Sequence, residues 1–137
     1  MATKLYSTIN SGDTFVYGTG AGQFDILVFD DSSVNPDSLE PSWLNPDGSD
    51  IHIDVSVNDT LVKSFTWIGI NAYQMTSANV QFRNGTGGNG SVDASLFLIG
   101  DNTTASNDDS TTNTLTGGVN DDLLVSFGGS QLLEGGA

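Results

Sequence analysis

The chain has 137 residues, a hydrophobic content of 36% and a formal net charge of −14 that arises from 17 acidic and three basic residues. This length and apolar content predict one domain with a single modest core. The negative field repels phosphate backbones and anionic lipid surfaces, so we expect no nucleic-acid partner and no membrane insertion.

The acidic residues are almost all aspartate, and they occur together with 17 glycines and no cysteine. Asp, Asn and Gly favour tight turns over helices. Close carboxylates repel one another unless a cation neutralises them, and oxygen ligands without cysteine favour calcium. An acidic, halotolerant surface explains the same composition. No apolar run reaches the ~18 residues of a membrane span, and the N-terminus lacks the apolar core of a cleaved signal peptide.

Short strand-forming runs dominate the first part of the chain, and helical periodicity is absent. Residues 14–17 and 24–29 are β-rich runs between Gly and Asp. Residues 51–57 alternate apolar and polar residues, so Ile51, Ile53, Val55 and Val57 are predicted to face a core. Asn58-Asp59 is a hairpin turn signal, and the returning strand is predicted over 61–68.

Further strands are predicted over 78–83 and 96–99, and residues 101–114 form a polar tract of Asn, Asp, Ser and Thr. We expect the large aromatic residues Trp43, Phe65 and Trp67 in the core, with a carbohydrate-stacking surface as the alternative. His52 is the single histidine and is predicted on a solvated strand face. This composition predicts no Ser-His-Asp site and no enzyme, although a carboxylate pair such as Asp30 with Asp54 stays open.

A glycine-rich nonapeptide lies near the C-terminus, where residues 117–125 read Gly-Gly-Val-Asn-Asp-Asp-Leu-Leu-Val. They match the calcium-binding pattern G-G-x-G-x-D-x-U-x of parallel β-rolls, with U a large apolar residue. Asn replaces the third glycine, and Asn tolerates a left-handed backbone well. Leu124 is then predicted inside the roll. The candidate calcium ligands are Asp122, Gly117, Val119 and Asn120.

Degenerate turns flank this nonapeptide on both sides. Upstream, Leu115 takes the interior position of a preceding turn, and Asn113 stands two residues before it where the pattern has Asp. Downstream, Gly128-Gly129 opens a turn with Leu133 predicted inside, and Gly135-Gly136 opens another. Asp101 and Asp109, in the polar tract, are further candidate calcium ligands.

Residues 12–29 resemble the D-T-F-x-F-G-x-G-x-G-x-D-x-I segments of repeats-in-toxin proteins, a family of bacterial proteins exported by type I secretion. Here Asp13 opens the segment, Phe24 stands where the family has Asp, and Asp25 follows one place later. The resemblance implies that Asp13 and Asp25 are calcium ligands.

The middle of the chain resembles the domain that accompanies these repeats in haemolysin-type proteins, and five short segments carry the resemblance in sequence order. They are Val28-Phe29-Asp30, Pro36-Asp37-Ser38-Leu39, Asp47-Gly48-Ser49-Asp50, Lys63-Ser64-Phe65-Thr66-Trp67 and Gln81-Phe82-Arg83-Asn84-Gly85-Thr86.

The resemblance implies an all-β fold, a parallel β-roll or β-solenoid with a β-hairpin or sandwich-like middle portion. We expect one module, with repeat-like strands in 1–29, a β-rich middle in 30–100 and degenerate calcium-binding repeats in 101–137. The expected function is a non-enzymatic structural module of a secreted or cell-surface bacterial protein. It would fold on calcium outside the cell, and its other partners would be neighbouring repeats or copies of itself, with self-assembly into a filament or surface layer.

Three other functions fit the same sequence. A domain of an adhesin would bind a glycan or peptide with calcium and a solvent-facing Trp43 or Trp67. A non-catalytic fragment of a secreted hydrolase would leave the active site in other sequence. A decoration protein of a virion would also be acidic and all-β.

Overall fold

The computed structural model describes residues 1–76, 78–83, 95–99, 114–118, 120–125 and 132–135. These ranges contain twelve strands and three short 3-10 turns, with no α-helix among them. The predicted all-β class is confirmed. In the same ranges, no helix is long and apolar enough to span a bilayer.

The strands are short except for two in the middle of the chain. They are β1 Thr3–Leu5, β2 Thr14–Tyr17, β3 Gln23–Phe24, β4 Ile26–Phe29, β5 Leu39–Trp43, β6 Ser49–Val57, β7 Thr60–Asn71, β8 Val80–Phe82, β9 Leu96–Ile99, β10 Thr114–Thr116, β11 Asp122–Val125 and β12 Leu132–Glu134. The 3-10 turns are Tyr6–Thr8, Pro36–Ser38 and Ala72–Gln74.

The largest sheet has five strands in the order β3-β2-β7-β6-β5. Strands β5, β6 and β7 are antiparallel neighbours, whereas β2 runs parallel to both β3 and β7. The β6–β7 turn is the predicted Asn58-Asp59 turn, with φ of 51° and 60°. Asn and Asp tolerate these left-handed angles, which match the twist of a two-residue hairpin. The hairpin prediction is confirmed, and β7 extends beyond the predicted 61–68.

A second sheet has three parallel strands in the order β1-β4-β8. The predicted run 24–29 is therefore two strands, because the chain passes from the large sheet to the small one at Asp25. Gln23 and Phe24 pair with β2, and Ile26 begins the ladder with β1.

One apolar core draws side chains from both sheets and from β9. Alternation along β6 buries Ile51, Ile53 and Val55 completely, as predicted, and Val57 packs against the cluster. The core also holds Phe15, Leu27, Phe29, Leu39, Phe65, Trp67, Val80, Phe82, Phe97 and Ile99. The predicted burial of Phe65 and Trp67 is confirmed, and Trp43 is half-buried against the same cluster.

Tyr6 joins the two sheets at the first 3-10 turn. Its ring centroid lies 5.4 Å from that of Phe29 in the small sheet and 6.4 Å from that of Phe65 in the large sheet. Aromatic pairs at these distances stabilise a core beyond the area that they bury.

The C-terminal strands, β9 to β12, form two separate parallel pairs, β9 with β11 and β10 with β12. Leu115 in β10 is fully buried, as predicted for an interior position. Leu124 is half-buried. The prediction that Leu133 lies inside is wrong, because Leu132 and Leu133 are 51% and 45% exposed on the edge strand β12.

Candidate functional site

Asp122 is the candidate calcium ligand whose surroundings the structure describes most fully. It begins β11, and its Oδ1 accepts a hydrogen bond from the Leu96 N–H at 2.9 Å. Its Oδ2 accepts one from the Gly118 N–H at 2.6 Å. The carboxylate therefore ties the glycine turn to the start of β9.

The Asp122 carboxylate can still ligate a cation in this position. Each carboxylate oxygen has two lone pairs, and each oxygen of Asp122 accepts one backbone N–H, so acceptor capacity remains. Calcium takes six to eight oxygen ligands, several of them backbone carbonyls. The described part of the turn thus fits one carboxylate of a calcium site.

The structure describes only some of the other candidate calcium ligands. Gly117 donates its N–H to the Glu134 carbonyl at 2.7 Å, which joins the nonapeptide to β12. Asn120 is exposed in a bend. Val119, Asn113, Asp101 and Asp109 lie outside the described residues. Among the residues that are described, no group of three or more His, Cys, Asp or Glu side chains could hold a metal.

The two C-terminal ladders differ in the sequence offset between paired residues. In the β10–β12 ladder, Thr114 faces Leu132 and Leu115 faces Leu133, an offset of 18 positions. In the β9–β11 ladder, Leu96 faces Asp122, an offset of 26 positions. The four strands alternate between the two ladders in chain order, since β9 pairs with β11 and β10 with β12.

The two candidate ligands near the N-terminus make local hydrogen bonds. Asp13 Oδ2 accepts the Asn10 N–H at 2.8 Å within one turn. The Asp25 carboxylate accepts the Ala2 N–H and so fixes the start of β1 beside β4. The structure does not bring Asp13 and Asp25 into a common metal group with other described acidic residues.

His52, Asp54 and Thr66 form a polar cluster on the outer face of the large sheet, which the sequence did not predict. His52 Nδ1 lies 3.0 Å from Thr66 Oγ1, and its Nε2 lies 3.2 Å from Asp54 Oδ1. The His52 and Asp54 side chains are 32% and 39% exposed. His52 and Asp54 are two apart on one strand, which puts them on one face, and Thr66 is opposite His52. The alternation over 51–57 indicates that His52 and Asp54 share a face. The position of Thr66 depends on the register between β6 and β7, which the sequence alone does not show.

Asp30 and Asp54, the candidate carboxylate pair for glycoside hydrolysis, lie in different environments. Asp30 is fully buried, and its oxygens accept the Ser7 N–H at 2.8 Å and the Ser7 hydroxyl at 2.6 Å. Asp54 lies beside His52 on the partly exposed face. Asp30 thus has a structural task, which is to hold the first 3-10 turn against β4.

The β5–β6 connection is another acidic turn that carries defined hydrogen bonds. Ser49 donates its hydroxyl and its N–H to Asp47 Oδ1, at 2.6 and 3.0 Å. These bonds, the hydroxyl first, lower the pKa of Asp47. Asp50 Oδ1 accepts the Gly69 N–H at 2.7 Å. The turn is therefore ordered by its own donors.

A polar cleft of about 350 Å³ lies beside the β6–β7 turn. Its lining includes three carboxylate residues, Asp37, Glu40 and Asp59. No lysine or arginine lines it, so the cleft adds to the acidic character of this end of the large sheet.

Comparison with family models, with curated proteins and with solved structures finds no match for this chain.

Proposed function

We propose that this chain is a non-enzymatic, calcium-binding structural module whose C-terminal strands are turns of a parallel β-roll. The observation that carries the proposal is the offset of 18 residues between β10 and β12. A roll built from nonapeptides places one repeat on each of two facing sheets, so equivalent strands recur every ~18 residues. The alternation of β9 to β12 between two ladders supports the same arrangement, although the offset of 26 residues between β9 and β11 is eight residues longer than one such turn.

In this proposal, calcium supplies the positive charge that the acidic C-terminal segment lacks. The sequence from residue 95 to the end contains six acidic residues and no lysine or arginine. Such a segment repels itself when it is compact, and a bound divalent cation removes this repulsion. In this proposal, the Asp122 carboxylate and turn carbonyls ligate calcium between neighbouring turns.

The expected calcium affinity of such sites indicates where the protein works. Extracellular calcium modules bind with dissociation constants of ~10⁻⁴ to 10⁻³ M, so they fill outside the cell and stay empty in the cytosol. We infer that the module is secreted or displayed on a cell surface, and that it becomes rigid there.

The alternative of a glycan-binding adhesin domain receives less support from the aromatic residues. Trp67 is fully buried and Trp43 packs against the core, whereas a sugar-stacking surface needs an exposed ring face. The Thr66, His52 and Asp54 cluster does not make an enzyme the better proposal, because an open sheet face does not exclude water from a reaction.

The test is circular dichroism and thermal melting with calcium and with a chelator. We expect calcium to increase strand content and melting temperature. Asp122→Asn should raise the calcium concentration at half-maximal effect about tenfold, which corresponds to roughly 1.4 kcal/mol. Asp121→Asn removes the same charge from the neighbouring exposed position and should have a much smaller effect. A melting curve that chelator leaves unchanged would refute the calcium proposal.

A further inference from the structure

Strand β12 has one unpaired edge among the described strands, and its two leucines are exposed. In the described part of the chain it pairs only with β10. Leu132 and Leu133 point to opposite faces of the strand, and they are 51% and 45% exposed. Parallel sheets are usually covered on both faces, and an uncovered edge is a template for another strand.

Strand β1 offers a matching edge at the other end of the sequence. It is three residues long, as β12 is, and among the described strands it pairs only with β4, in a parallel ladder. Asp25 fixes its start through the Ala2 N–H, so β1 is held in place for pairing on its other side.

The two edges carry opposite charge. Lys4 lies in the middle of β1, and its Nζ is 5.3 Å from the centroid of Phe24. Glu134 ends β12. Asp121 lies just before β11, and Asp122 is its first residue. Two C-terminal ends would repel each other, whereas a C-terminal end and β1 attract.

We propose that β12 of one copy adds in parallel to the free edge of β1 of a second copy, with Glu134 near Lys4. This inference deepens the proposed structural function and rests on it. The contact joins two different surfaces, so a pair of copies keeps one free β1 edge and one free β12 edge. Further copies can therefore add head to tail, and we expect a linear chain of copies.

The association is expected to be weak for a single contact. Three residues a side bury far less than the ~1,200 Å² of a stable interface. The association therefore depends on protein concentration, and salt weakens it because it relies on the attraction between charged groups.

The test is charge reversal followed by sedimentation velocity over a range of protein concentrations, in calcium and at low salt. Lys4→Glu and Glu134→Lys should each raise the concentration needed for association at least ~tenfold, because an attractive pair becomes a repulsive one. Mixing the two variants, or combining both changes in one chain, should restore association.

Glu40→Lys is the matched control, since it makes the same change in net charge at an exposed position of β5. It should leave association unchanged. Dichroism shows whether each variant folds, and Glu134→Lys tests the contact without touching the Lys4 packing. A wild-type chain that stays monomeric at every concentration, or double and mixed variants that fail to recover, would overturn the proposal. If chelator changes neither folding nor association while the charge exchange still works, the calcium proposal fails and this contact stands.

Discussion

The first part of the molecule, residues 1–83, and its C-terminal strands, β9 to β12, place their carboxylates in different settings. In the first part, Asp30 is fully buried, and Ser7 donates two hydrogen bonds to it. In the C-terminal strands, Asp122 is partly exposed and accepts two backbone N–H groups. The first part is closed around aromatic side chains, whereas the last strand exposes two leucines.

This difference indicates where stability comes from in each region. A core of buried aromatic and branched residues stabilises the first part through apolar burial, which needs no ion. The β9–β11 pair shares this core through Phe97 and Ile99. The β10–β12 pair is two strands wide with exposed leucines on β12, and isolated two-stranded sheets are marginal in water. We therefore expect calcium and copy-to-copy contacts to matter most for the C-terminal strands.

The largest effect should come from Phe65→Ala, which removes a ring that is 1% exposed at the centre of the first region. The loss of buried surface and the remaining cavity should lower the free energy of unfolding by about 3–5 kcal/mol. Urea denaturation measures this loss, and it should be similar with calcium and with chelator. Val62→Ala, on the same strand at a 48% exposed position, is the control and should change stability by less than ~0.5 kcal/mol. A Phe65→Ala loss that appears only in calcium would show that the two regions are not distinct.

An intermediate effect is expected from Asp30→Asn. The amide oxygen can keep the Ser7 N–H, and the NH₂ group can donate to the Ser7 hydroxyl, which then accepts instead of donating. Two hydrogen bonds to a charged acceptor become neutral ones, which should cost about 1–3 kcal/mol in urea denaturation. Asp31→Asn is the control at the next, exposed position. Equal losses for the two variants would contradict the structural task assigned to Asp30.

The sequence was sufficient for the features that depend on local chemistry. Alternation over 51–57 predicted which side of β6 is buried, and Asn58-Asp59 predicted the hairpin. The large sheet combines parallel and antiparallel neighbours, and this long-range pairing cannot be read from local patterns. For the same reason the position of Thr66 beside His52 was missed. Leu133 was wrongly predicted inside because burial requires a neighbouring strand, and the repeat pattern cannot show whether one is present.

The smallest expected effect concerns pH, and it belongs to the first region. Burial, and then the charge of Asp31, raise the pKa of Tyr6. Because the folded pKa lies above the unfolded value of about 10, the contribution of Tyr6 is full below that pH and is lost as pH rises through the folded pKa. Tyr6→Phe should therefore flatten the fall in melting temperature at alkaline pH. Lys63 Nζ donates to the Tyr6 carbonyl at 2.9 Å and lies 4.1 Å from the centroid of the Tyr6 ring, so Lys63→Met with and without Tyr6→Phe separates the contributions of the two side chains. An alkaline slope that Tyr6→Phe leaves unchanged would assign the effect to other groups.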